Sequence, residues 1–196
     1  MKHNKLTMAI LMALAVFAAS APAHAADTYK IDAVHSFAIF KVGHLGVGYV
    51  RGGFTDIAGS IAYGKDTEAG SLVEITIATN SVNTHNKDRD AHLRTDDFFD
   101  VEKYPEMSFK SKSFKKLETG KYQVTGDFTL HGVTKTITVT ADVTGEGDDP
   151  WGNYRAGFET SFTIMRSDYG MDKQIPAAGD KVWITLNIEA IRQKSK

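Results

Sequence analysis

Lys121-Tyr122-Gln123-Val124-Thr125-Gly126-Asp127-Phe128-Thr129-Leu130-His131-Gly132-Val133-Thr134-Lys135-Thr136-Ile137-Thr138-Val139-Thr140 decides the fold class. Apolar residues alternate with polar ones on both sides of His131-Gly132, a link short enough for nothing but a tight turn. The runs Lys121–Leu130 and Thr134–Thr144 are therefore neighbouring antiparallel strands. Glu118-Thr119-Gly120 joins Glu106–Phe114 to the same pair in the same way. Outward from this meander, Ser71–Thr79 places Val73, Ile75 and Ile77 on one side, and Tyr154–Met165 and Lys181–Ile191 follow the same period. Tyr29–Val42 is apolar on both faces, as a strand in a wall covered on two sides would be. Tyr49–Tyr63 carries Gly52, Gly53 and Gly59, which mark bulges or bends within a strand. Eight antiparallel strands with mostly short links predict a closed barrel that holds side chains or one small ligand; a jelly-roll sandwich is the alternative. Closure also removes the edges that invite aggregation.

One stretch breaks the period. From Asn86 to Arg94 there is no β-branched residue, and Asp88/His92, Arg89/Leu93 and Asp90/Arg94 are each four apart, which predicts a short helix. Thr95 is placed to cap a second turn led by Asp96 and Asp97, and Pro105 stops its continuation. The fold class is thus all-β with one short helical insert.

The N-terminus reads as a secretory signal peptide: Lys2 and Lys5, an apolar run from Leu6 to Ala19, then Ala23 and Ala25 at the small-residue positions before a cut at Ala26. The apolar run is too short to span a bilayer. Residues 26–196 then form one domain in the periplasm. Without the two leader lysines, 21 basic residues face 24 acidic ones, a formal charge of −3, which argues against nucleic acid as a partner, because backbone binding needs a basic surface. Cysteine is absent, so disulfides and thiol catalysis are excluded.

Of the seven histidines, His3 and His24 fall in the leader, and His35, His44, His85, His92 and His131 show no metal-helix spacing. His35 and Ser36 are adjacent on a strand and so point to opposite faces, which rules out a nucleophile and base pair there. No nucleophile elbow, phosphate loop or dinucleotide fingerprint is present. No catalytic, metal or cofactor residue is expected. What remains is apolar material at alternate positions on many strands, which fills a core or lines a lumen depending on whether the barrel closes around space. Arg89, His92 and Arg94, with Arg166 at a strand end, would meet an anionic head group if the insert covers the barrel mouth; otherwise they are a solvated helix face.

The ordered set Tyr29-x-Ile31-Asp32-x-x-His35-Ser36-x-x-x-Phe40, His44-Leu45-Gly46, Gly52-x-Phe54, Gly59, Arg89-Asp90-x-His92-Leu93-Arg94-x-x-Asp97-Phe98-Phe99, Tyr104-Pro105, Phe109 and Gly126-x-Phe128-x-Leu130-x-Gly132-Val133-Thr134-Lys135 resembles the YceI-like family. It spans nearly all of the mature chain, and the loop Asp148–Gly152 and Arg155–Phe158 resemble periplasmic members. Thr136 stands where the family commonly has Pro. The resemblance implies a lipocalin-like, eight-stranded antiparallel barrel with a helix beside it, no enzyme activity, and an apolar pore for an amphiphilic polyisoprenoid such as an isoprenoid quinone or polyprenyl phosphate. Carried over by position, the pore residues are Phe40, Val42, Phe54, Ile75, Phe109, Phe128, Phe158 and Phe162, with His35, His44, Arg89, His92 and Arg166 as polar residues near an opening. Asn83, Thr84, Thr134 and Lys135 read as turn supports. The expected partner is the lipid, with a transient contact to a membrane or membrane protein, and a homodimer, as further options. An enzyme or stress-response factor using the same pore is the competing function.

Overall fold

The computed structural model describes residues 26–65 and 67–194; the expected leader, 1–25, lies outside the described residues. In chain order the strands are β1 (Asp27–Ile31), β2 (Phe37–His44), β3 (Gly48–Phe54), β4 (Ile57–Gly64), β5 (Thr67–Ala78), β6 (Val82–Asn83), β7 (Glu106–Glu118), β8 (Lys121–Leu130), β9 (Val133–Asp148), β10 (Tyr154–Met165) and β11 (Ala178–Arg192), with one helix, α1 (Lys87–Leu93), between β6 and β7. All pairings are antiparallel, and the order β1-β4-β5-β7-β8-β9-β10-β11 closes on itself through β1 and β11. The protein is an eight-stranded antiparallel barrel.

The strand count is eleven because two expected strands are each broken in two and the two-residue β6 pairs with β3 outside the ring of eight. One edge of β11 pairs with β2 over Ala178–Asn187 and with β1 over Ala190–Arg192, so β1 and β2 share a single place in the wall. Between them Asp32 makes a turn: its carboxylate accepts from the Val34 amide at 3.1 Å and its carbonyl from the His35 amide at 3.2 Å. Between β3 and β4, the amides of Thr55 and Asp56 leave the ladder and donate to the carbonyl and hydroxyl of Ser81, at 3.2 and 3.1 Å. Elsewhere the boundaries move by a few residues: β9 runs on to Asp148, past the expected end at Thr144, and β5 begins at Thr67, ahead of the expected start at Ser71.

Two glycines on inward-facing positions, Gly52 and Gly126, explain how large rings fit a narrow tube. A Cβ on Gly52 would sit 2.7 Å from Phe40 Cζ, and one on Gly126 would sit 2.5 Å from Phe109 Cζ, so each ring lies over the missing side chain of the neighbouring strand.

Helix α1 is capped as its sequence demands: the Asn86 side chain accepts from the Arg89 amide at 2.9 Å. After Leu93 the chain does not form a second helix. The Phe98 amide donates to Thr95 O at 3.1 Å and the Phe99 amide reaches back to Leu93 O at 3.0 Å, a run of turns that turns both rings toward the barrel. The insert is fixed through a buried network: Asp90 accepts from the Thr84 amide at 2.8 Å and from its hydroxyl, while Arg89 Nε donates to that hydroxyl at 2.7 Å and Arg89 Nη2 to Thr84 O at 2.8 Å. Burial alone would push the Asp90 carboxyl up, but the Thr84 hydrogen bonds and the neighbouring Arg94 and Arg89 hold it below the usual range. Among the described residues, no helix is long and apolar enough to cross a membrane.

Candidate functional site: a cavity along the barrel axis

A cavity of about 410 Å³ runs inside the barrel, with walls that are almost wholly apolar. That volume lies in the range of small-molecule sites, roughly 300–1,000 Å³. The strand period builds it: β2 sends Ala38, Phe40 and Val42 inward, β8 sends Tyr122, Val124 and Phe128, and β11 sends Val182, Ile184 and Leu186. All eight apolar residues expected from the sequence line this one space. Phe40 meets Phe54 with ring centres 5.9 Å apart, Phe54 meets Phe99 of the insert edge-on at 5.5 Å, and Phe128 meets Phe162 at 6.2 Å. Edge contacts of this kind hold rings in place around an open centre.

The two ends differ. One is plugged by aromatics: Tyr63 stands edge-on to Tyr122 at 6.0 Å and to Phe158 at 5.3 Å, with Tyr29 behind it at 6.3 Å. Burial, then the charge of Asp27, raises the Tyr29 hydroxyl to about 12, so Tyr29 stays neutral at any physiological pH. The buried Tyr122 hydroxyl has no hydrogen-bond partner among the described residues. At the other end the exposed lining residues His44, His92, Gln174 and Ala177 gather around an opening between the β2–β3 hairpin, the insert and the segment 171–178. The insert and that segment are tied by Lys173, whose ammonium sits 3.0 Å from Asp96 and 3.2 Å from Asp97. Asp97 also meets His92 Nε2 at 2.9 Å; that bond first, then Lys173, holds the Asp97 carboxyl below the usual range.

The polar residues expected at an opening divide three ways. His44, Arg89 and His92 lie at the mouth. Arg166 also lines the cavity, but it is buried and most of its donors serve the backbone: Nε donates to Gly179 O at 3.0 Å, Nη1 to Met171 O at 2.5 Å, and Nη2 to Lys173 O and Ala178 O at 2.9 and 2.8 Å. Four of its five N–H groups are thus used, and its first job is to fold the 171–179 segment over the mouth. Burial lowers its pKa, yet no carboxylate bonds to it among the described residues, so it leaves net positive charge beside the opening.

His35 is a correction: it does not line the cavity. The Asp32 turn carries it to the outer wall, where its Nδ1 sits 2.9 Å from Asp32 Oδ2. There Arg155 binds Asp32 at 2.7 Å, Asp149 at 2.7 Å and Glu189 at 2.5 Å. Asp32, His35 and Glu189 bring ligand atoms within 4.8 Å of one another, but a guanidinium already neutralises the carboxylates there. Residues so far apart in sequence gave no local sign of this cluster. The lining residue Leu93, which ends α1, was also missed, as were Phe98, Phe99 and Met171, which come from irregular segments with no period to read. The adjacent pair Phe98-Phe99 at the end of a charged helix was the available signal.

The YceI-like domain model matches residues 29–190. The chain belongs to the YceI-like family. Relatives in the family include a UPF0312 protein of Pseudomonas aeruginosa, 41% identical over 97% of this chain and 99% of that protein. A UPF0312 protein of Pectobacterium atrosepticum is 39% identical with the same coverage. Among solved structures, the Campylobacter jejuni YceI protein superposes with a TM-score of 0.69 at 32% identity, over 78% of this chain and 90% of that one. A polyisoprenoid binding domain from Saccharophagus degradans shares the fold at a TM-score of 0.67 and 19% identity, over 84% and 98%.

Proposed function

We propose that this YceI-like protein is a periplasmic carrier that holds one amphiphilic isoprenoid lipid, tail in the barrel and polar head at the mouth. The observation that carries the reading is the shape and chemistry of one cavity: long, apolar, plugged by aromatics at one end and open among cations and histidines at the other. A branched hydrocarbon tail suits such a tube, because each methylene-sized group it removes from water favours binding by about 0.8 kcal/mol and the walls are almost wholly apolar. An acidic head group, such as a prenyl phosphate, suits a mouth where Arg89 and Arg166 carry charge without bonding a carboxylate. The neighbour described as a polyisoprenoid binding domain supports the same ligand class. Binding, release and no turnover is the role we assign, with the leader expected at residues 1–25 delivering the chain to the periplasm.

The test is native mass spectrometry of the chain purified from cell envelopes, followed by lipid extraction. One isoprenoid per chain, released intact, is the expected result. A chemically altered product that accumulates with time would favour an enzyme, and a bound water-soluble metabolite would contradict the lipid reading.

A further inference from the structure

The outer wall beside the mouth is unusual for a soluble surface. Leu45 and Val47, at the tip of the β2–β3 hairpin, are 60% and 87% exposed, and Tyr49 just below is 62% exposed. Leu45 also has φ of 52°, a left-handed conformation that a branched side chain adopts only at a cost. An asparagine or glycine would suit that turn and water better. The tip is not loose: the Leu45 amide donates to Ala177 O at 2.8 Å, which pins the hairpin to the rim of the cavity.

Below the tip, three cations cluster with aromatics. Lys41 lies opposite both Trp183 and Arg51 in the ladder, with its ammonium 4.8 Å from the Tyr49 ring centre and 4.4 Å from that of Trp183. Lys181 sits 5.3 Å from the same tryptophan, and Tyr49 stands edge-on to it at 5.7 Å. Lys41, Arg51 and Lys181 make no ion pair among the described residues, on a chain whose formal charge is −1.

We propose that this face docks the open end of the barrel on an anionic lipid bilayer: Leu45 and Val47 enter the headgroup region, Tyr49 and Trp183 lie at the interface, and Lys41, Arg51 and Lys181 face lipid phosphates. Tyr and Trp prefer that depth because one end of each ring system is apolar and the other wet. Lysine stems cover apolar surface while their charges reach the phosphates. A second copy of this chain is a poor occupant, since a two-fold contact would set this cationic face against itself. The inference relies on the carrier reading for its purpose, because a lipid cargo must leave a bilayer, but vesicle binding is measured without cargo.

The test is flotation with vesicles of 30% phosphatidylglycerol in phosphatidylcholine, compared with phosphatidylcholine alone. The two tryptophans give the orientation: Trp183 flanks the proposed face, and Trp151 lies in the β9–β10 loop at the far end of the barrel. Brominated lipids should quench Trp183 in a Trp151→Phe background and leave Trp151 untouched in a Trp183→Phe background. Replacing Lys41 and Lys181 by glutamine should weaken partitioning about 25-fold, roughly fivefold per cation near an anionic surface. Leu45→Asn with Val47→Ser, which relieves the turn, should weaken vesicle binding while the affinity for a short prenyl phosphate in solution is unchanged. Equal binding to neutral vesicles, quenching of Trp151, or variants that bind vesicles as the wild type does would overturn the docking face. So would a dimer in solution that depends on Tyr49 and Trp183. Vesicle binding that behaves as expected alongside failure to bind any prenyl lipid would leave the docking face standing and remove the carrier reading.

Discussion

Phe162→Glu places a charge where the lipid tail should lie, and its effect can be worked out in advance. Phe162 points inward from β10, pairs with Ile184 across the ladder and meets Phe128 at 6.2 Å. It is only half-buried, so in the empty barrel the new carboxylate has water and the fold survives. A bound tail removes that water. The carboxylate must then be buried unpaired or protonated, and a shift of about 3 pK units from an ordinary value near 4.3 is typical of such a site. At about 1.4 kcal/mol per unit the loss is about 4 kcal/mol, or roughly a thousandfold in Kd, at pH 8. The pH dependence follows in sign. Because binding raises the pKa, the protonated form binds better: the loss is complete above about pH 7.3 and shrinks about tenfold per unit as pH falls toward 4.3. Phe162→Gln, neutral and of similar size, should lose less affinity and follow the pH profile of the wild type. Fluorescence titration with a prenyl phosphate from pH 5 to 8 reads all three proteins, with circular dichroism as the folding control. A folded Phe162→Glu protein with wild-type affinity at pH 8, or with a loss that does not vary with pH, would refute a tail in contact with this residue.

Other expectations are shorter. Affinity should rise with prenyl length and then level off, because the ten residues of β8 span only about 30 Å at roughly 3.3 Å each, and calorimetry on a chain-length series would show the plateau. Tyr122→Phe should bind a plain hydrocarbon tail as well as the wild type or better, since it removes a buried hydroxyl that has no partner among the described residues. Arg89→Ala and His92→Ala should weaken a pyrophosphate-headed lipid more than a neutral quinone, while equal effects on both would make the insert purely structural. Arg155→Met should cost about 2–3 kcal/mol by urea unfolding at pH 7, since it leaves Asp32, Asp149 and Glu189 facing one another. In the wild type His35, then Arg155, lowers Asp32 to about 2, so its contribution is present above the ordinary carboxylate pKa and is lost as pH falls through about 2; in the variant that loss should begin at higher pH. N-terminal sequencing of envelope-purified protein should begin at Ala26.

The meander from Glu106 to Thr144 was legible because both of its signals are local: a period of two, and turns too short to permit anything but hairpins. The insert was legible because its four-residue spacing is local too, although its cap at Asn86 was not read. The breaks at Asp32–Ser36 and Thr55–Asp56 were not. Each depends on a side chain or distant residue taking over backbone groups, Asp32 in one case and Ser81 in the other, and apolar alternation carries no trace of that. His35 followed the first break out of the cavity. Arg166 shows the same limit: its place at a strand end was readable, but the four carbonyls of 171–179 that take its donors come together only in the folded chain. Alternation marked apolar faces on many strands, and the resemblance to the family singled out the eight pore positions among them. Whether they fill a core or surround a space depends on closure between β1 and β11, a contact between the two ends of the described residues.

The central claim is that a prenyl tail lies along the barrel axis with its head at the mouth. Photo-crosslinking with a prenyl phosphate that carries a diazirine on its last isoprene unit tests this directly, with the labelled peptides read by mass spectrometry. A chain length that fills the cavity should label the plugged end, at Tyr63, Tyr122 and Phe158, and the same probe with its diazirine next to the phosphate should label His92 or Gln174. Labels from both probes confined to the outer wall at Tyr49 and Trp183, or a reversed order along the axis, would contradict it.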